Sequence, residues 1–140
     1  MQTPLTSGAK GNQAVVAFLD GRRLKGYIFN FSAVRESFRL FPDEKAKQES
    51  GTDIQMKDLK AIFFVKDFTG DPSYKESADG VASRHGRKIE VTFADGEKLT
   101  GFCDAYNKQK LGFFLFPADS RSNNARVFAI NRNVREVKMQ

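Results

Sequence analysis

The sequence predicts an all-β protein made of two tandem small five-stranded barrels, and three observations carry that prediction. The first is a repeat. Val16-Ala17-Phe18-Leu19-Asp20-Gly21-Arg22-Arg23-Leu24-Lys25-Gly26-Tyr27 returns, seventy-five positions later, as Val91-Thr92-Phe93-Ala94-Asp95-Gly96-Glu97-Lys98-Leu99-Thr100-Gly101-Phe102. The same offset carries Phe31 onto Tyr106, Phe38 onto Phe113, and Leu40-Phe41-Pro42 onto Leu115-Phe116-Pro117. The second is the Asp-Gly pair between arms of alternating polarity, the strongest short-range hairpin signal, because both residues tolerate positive φ. The third is composition: fourteen phenylalanines, no tryptophan, and apolar residues in short runs, none long enough to cross a bilayer.

Residues 1–12 hold Pro4, Ser7, Gly8 and Gly11 without periodicity and read as a flexible lead-in. The first unit spans 13–68. Val16 and Phe18 alternate before Asp20-Gly21, and Leu24, Gly26 and Ile28 after it, with the second arm running on through Phe29 and Phe31. Gly26 inside that arm marks bending or a close backbone approach. Phe38 and Leu40 open a third strand that stops at Pro42, which has no N–H to give a ladder. Ile54 and Met56 form a short strand, Lys57-Asp58 a turn, and Leu59 to Val65 an apolar last strand.

Residues 69–87 shift to Gly, Ser, Asp and Pro and read as a linker. The second unit, 88–140, repeats the order: Ile89 to Phe93, Lys98 to Tyr106, Gly112 to Phe116, Arg126 to Ile130 and Val134 to Met139. Inserting one residue between Met56 and Leu59 aligns Phe128, Ile130, Val134 and Val137 with Ile54, Met56, Leu59 and Ile62.

The formal charge is +6, yet acidic and basic residues are interspersed and no block of like charges forms. The first residues lack the apolar stretch of a signal peptide, and a single cysteine, Cys103, closes no disulfide within one chain. The expected compartment is the cytoplasm.

The pattern apolar-x-apolar-x-Asp-Gly-x-x-Leu-x-Gly-x-apolar, closed by an aromatic, resembles the first motif of the Sm, Lsm and Hfq proteins, and hairpins of this kind also occur in SH3-like barrels. Tyr106-Asn107 completes the motif in the second unit, while the first has Phe31-Ser32. The strand pairs Ile54-Gln55-Met56 with Leu59-Lys60-Ala61-Ile62, and Phe128-Ala129-Ile130 with Val134-Arg135-Glu136-Val137, are similar to the second Sm motif. The whole duplicated pattern is also similar to an uncharacterised family of bacterial proteins, members of which accompany cyclic-di-GMP and two-component signalling modules. The Sm resemblance implies binding of single-stranded RNA by an oligomer, with an aromatic stacked on a base and polar or basic neighbours on its edge and phosphate. It points to Phe31, Ser32, Lys57 and Asp58 in the first unit, and to Tyr106, Asn107, Asn131 and Arg132 in the second. Asp58 departs from the expected pattern, since its carboxylate repels a phosphate.

Other chemistry finds little support. His85, the one histidine, lies in the linker, and Cys103 reads as a small buried apolar residue. One His and one Cys build no zinc site. Asp20 and Asp95 are accounted for by their turns, and no Gly-rich phosphate loop is present. Asn30 to Arg35 partly resembles the PilZ signature but lacks its glycine and the upstream arginine pair. No catalytic residue, cofactor, metal or membrane partner is expected. Two functions remain: an Sm-like RNA binder assembling through edge strands, for instance as a trimer, or a protein-interaction module in bacterial signalling or regulation without a nucleic-acid ligand.

Overall fold

The computed structural model describes residues 11–68, 86–118 and 122–139. Ten strands follow one another: β1 (Asn12–Phe18), β2 (Arg23–Ile28), β3 (Ser37–Leu40), β4 (Thr52–Gln55), β5 (Leu59–Val65), β6 (Arg87–Phe93), β7 (Lys98–Cys103), β8 (Gly112–Pro117), β9 (Asn124–Ile130) and β10 (Val134–Met139). The 3₁₀ turns Met56–Asp58 and Asn131–Asn133 link β4 to β5 and β9 to β10. Lead-in residues 1–10 and linker residues 69–85, with His85, lie outside the described residues.

Both Asp-Gly turns are built alike. Gly21 donates its N–H to the Phe18 carbonyl at 3.1 Å and Gly96 to that of Phe93 at 2.8 Å. The glycines sit at φ 96° and 93°, where a side chain is strained, and nothing else there demands a glycine. Gly101 serves a different purpose. A Cβ there would stand 2.4 Å from the Phe116 carbonyl oxygen, so its glycine is what lets β7 approach β8. The second arm is shorter than its sequence predicts: β2 ends at Ile28 because Asn30 turns the chain with φ 53°, and β7 ends at Cys103.

The expectation of two tandem barrels is corrected by the pairing. The strands form one open eight-stranded antiparallel sheet, β10-β6-β7-β8-β9-β5-β1-β2, and a separate two-stranded sheet, β3-β4. Neither half closes on itself. β5 pairs with β1 on one side and with β9, from the other half, on its other side. The last strand of the first half therefore continues the sheet of the second. β2 meets the chain just past β3 through the isolated bridge Tyr27↔Phe41.

The structure also corrects the alignment of the repeats. Phe38 pairs with Ile54 in one half and Phe113 with Ala129 in the other, both members shifted by the same seventy-five positions. No residue is inserted, and Ile54 corresponds to Ala129 rather than to Phe128. The displaced Phe128 and Ile130 point instead into the first half's core, among Val16, Phe18, Leu40, Ile62 and Phe64. Val127 and Ala129 face the second core, with Ile89, Val91, Phe93, Phe113 and Leu115, and there they meet Ala61 and Phe63 of β5. β5 and β9 thus form a wall with a core on each face, in keeping with the strand Leu-Lys-Ala-Ile-Phe-Phe-Val, apolar at every position but Lys60. Each of Phe63, Phe128 and Ile130 stabilises this junction by about 2 kcal/mol of apolar burial.

Candidate functional site

Two polar contacts fasten the apolar wall. Lys60, in the middle of β5, is 4% exposed, and its Nζ donates to Asp95 Oδ2 at 2.8 Å and to Glu97 Oε1. Both acids belong to the β6–β7 turn, so the contact crosses from one half to the other. Burial pushes the Lys60 pKa down, but the hydrogen bonds to Asp95 and Glu97 outweigh it and hold the ammonium above the ordinary lysine value. The same bond from Lys60, helped by the Glu97 backbone N–H, holds Asp95 below its usual range. The second fastening is Asn133, which is buried and donates Nδ2 to the carbonyls of Leu59 at 2.6 Å and Lys57 at 3.4 Å. Sequence reasoning missed both. A lysine inside an otherwise apolar strand was the available signal for the first.

The residues expected at an RNA site separate into structural and exposed groups. Phe31 is half-buried and meets the rings of Phe128, Phe64, Phe114 and Phe38 edge-on, with centroids 5.1, 5.3, 6.0 and 6.3 Å away. Tyr106 is half-buried against Phe113 at 4.9 Å. Asn107 and Asn131 do come together: Asn131 Nδ2 donates to the carbonyls of Asn107 at 2.9 Å and Lys110 at 2.8 Å, while Asn107 Oδ1 accepts from the Gln109 N–H. The Asn131 amide nitrogen and the Asn107 amide oxygen thus hold the loop between β7 and β8. Ser32 repeats the Asn107 device, accepting from the Val34 N–H. Lys57, Asp58 and Arg132 are exposed on the two 3₁₀ turns, and the Asn133 contact to the Lys57 carbonyl brings those turns side by side. With the register corrected, Lys57 matches Arg132 and Asp58 matches Asn133. Cys103 lies in the second core, where burial raises its thiol pKa.

The remaining features are open sheet edges. In the repeat β10 corresponds to β5 and β4 to β9, yet β10 pairs only with β6 and β4 only with β3 among the described strands. Where β5 carries Ala61 and Phe63, β10 carries Glu136 and Lys138; where β9 carries Phe128 and Ile130, β4 carries Asp53 and Gln55. On that face the joined edges are apolar and the open ones polar, which protects an exposed edge from indiscriminate pairing.

A family model described as a family of unknown function (DUF6982) matches residues 10–140. No curated protein and no solved structure matches the chain.

The geometry sets expected outcomes at the Lys60 contact and at the aromatics. Lys60→Met leaves Asp95 and Glu97 to water and shifts stability by less than about 1 kcal/mol in urea unfolding. The pair Asp95→Asn with Glu97→Gln strands a buried ammonium and costs on the order of 2 kcal/mol. Because Asp95 is lowered in the fold, its contribution is present above its ordinary 3.8 and is lost as pH falls through the lower folded value; Asp95→Asn removes that acid-linked part of the profile. At the aromatics, Phe31→Ala costs about 3 kcal/mol and Phe31→Leu about 1. An unchanged urea midpoint for Phe31→Ala would mean that the ring is available to a ligand.

Proposed function

The chain belongs to this family of unknown function, and we propose that it acts as a non-enzymatic protein-interaction module, taking a partner's extended strand along its open sheet edges. The observation that carries this reading is the β5–β9 junction, where one repeat already receives a strand of the other by antiparallel pairing. β10 and β4 are the corresponding edges left without a described strand partner. Backbone pairing supplies affinity in such strand addition, and the alternating side chains supply specificity.

A second reading, binding of single-stranded RNA, draws on the adjoining turns that display Lys57 and Arg132. Against it weigh the edge-on packing of Phe31 and Tyr106, whose faces a base must reach, and the internal bonding of Asn107 and Asn131. Fluorescence anisotropy of labelled uridine- and adenine-rich single strands across a salt series separates the two. The interaction reading expects no saturable binding at low salt. Sub-micromolar binding that falls steeply with salt, as counterion release requires, would replace it with the RNA reading.

A further inference from the structure

The open edge of β10 has a property that β5 lacks. Arg135-Glu136-Val137-Lys138-Met139 places acid, apolar residue and base at three successive positions, and this order complements itself when the strand is laid antiparallel on a copy of itself. We propose that β10 pairs with β10 of a second copy about a two-fold axis at Val137, joining two eight-stranded sheets into one.

In that register Glu136 stands opposite Lys138 of the second copy, Lys138 opposite Glu136, and Val137 opposite Val137. Within the chain Lys138 already faces Glu90 on β6, so the second Glu136 gives the ammonium an acid on either side. On the other face Val137 lies beside Val91 and Met139 beside Ile89, with Val91 and Ile89 buried in the second core. Pairing sets Val137 against Val137 across the two-fold and lays the aliphatic stem of Arg135 of the second copy beside Met139, which is 46% exposed in the single chain. Opposite charges and apolar pairs directly across antiparallel strands are the combinations that stabilise a sheet.

The competing arrangement is head-to-tail, with β10 of one copy repeating the β5–β9 register on β4 of the next. Translating Ala61↔Ala129, Ile62↔Phe128 and Phe63↔Val127 by seventy-five positions sets Glu136 against Ile54, Val137 against Asp53 and Lys138 against Thr52. A carboxylate then faces Val137. The fastenings weaken too: Asp58, a carboxylate, stands where Asn133 donates, and of the two acids that hold Lys60 only Asp95 has an acidic counterpart, Asp20, already paired with Arg22, which stands where Glu97 accepts and faces Arg135 in the place of Lys60. The two-fold arrangement keeps every charged residue of the edge opposite a complementary or apolar one, and it closes at two copies.

Light scattering behind size exclusion tests this with the full chain. The wild type is expected at twice the single-chain mass, with dissociation favoured by salt because the ion pairs are exposed. Glu136→Lys, whose neighbour on β6 is the neutral Thr92, is expected to fold and run as a single chain. Lys138→Glu, made together with Glu90→Gln so that no second carboxylate faces it on β6, is likewise a single chain, and an equal mixture of the two variants recovers the doubled mass, since each then offers the charge that the other lacks. A wild type that stays single at the highest soluble concentration overturns the proposal, as does a Glu136→Lys chain that still doubles. The proposal rests on the interaction reading, and the failures separate. A single-chain wild type without RNA affinity removes the two-fold pair alone, whereas tight, salt-sensitive RNA binding removes the interaction reading itself.

Discussion

The fold depends on one pairing, the antiparallel contact between β5 and β9. It is the seam between two copies of the same unit, and it is apolar on both faces, so neither strand can be exposed without opening both cores. A repeat of about sixty residues is near the size at which a single core becomes marginal. Sharing a wall solves that problem: Phe128 and Ile130 complete the first core, and Ala61 and Phe63 complete the second. Lys60 and Asn133 then fix how the halves meet, because their partners sit at defined places on the opposite half.

The two copies have diverged where their situations differ. Backbone devices inside each copy are retained almost atom for atom. Phe18 accepts from Gly21 as Phe93 accepts from Gly96, Asp58 accepts from Leu19 as Asn133 accepts from Ala94, and Glu36 accepts from Met56 as Leu111 accepts from Asn131. The side chains along the edges are not retained. On one face of each strand, positions that are apolar at the seam are charged or amidic at the ends: Ala61 and Phe63 give way to Glu136 and Lys138, and Phe128 and Ile130 to Asp53 and Gln55. One junction has been preserved as a core, and its counterpart at the ends has become a polar surface with its own pattern of charge.

Much of the local structure was legible in the sequence. Alternation placed all ten strands to within a few residues, and the Asp-Gly pairs located both turns because only positive φ satisfies their geometry. Closure was not legible. Alternation says that a strand has an apolar face, but not which neighbour takes its free edge, and the run Leu59 to Val65 was the one local sign of a strand covered on both sides. The same double burial misled the alignment of β9, where Phe128 and Ile130 look like the core-facing set of their own unit and belong to the other. Of the candidate residues, Asn131 bonds the Asn107 backbone carbonyl, a loop contact that a shared motif makes legible, while the packing of Phe31 depends on Phe114 and Phe128, distant in sequence.

The claim that one shared wall holds both halves is tested most directly by native-state amide hydrogen exchange on β5 and β9. If the wall is the seam of a single cooperative structure, the amides of Ile62 to Phe64 and of Val127 to Ala129 exchange through one common opening, the same that governs β1 and β6, with the highest protection in the chain. If β5 instead follows β1 while β9 opens separately with β6, the halves are independent units and the shared-wall account fails.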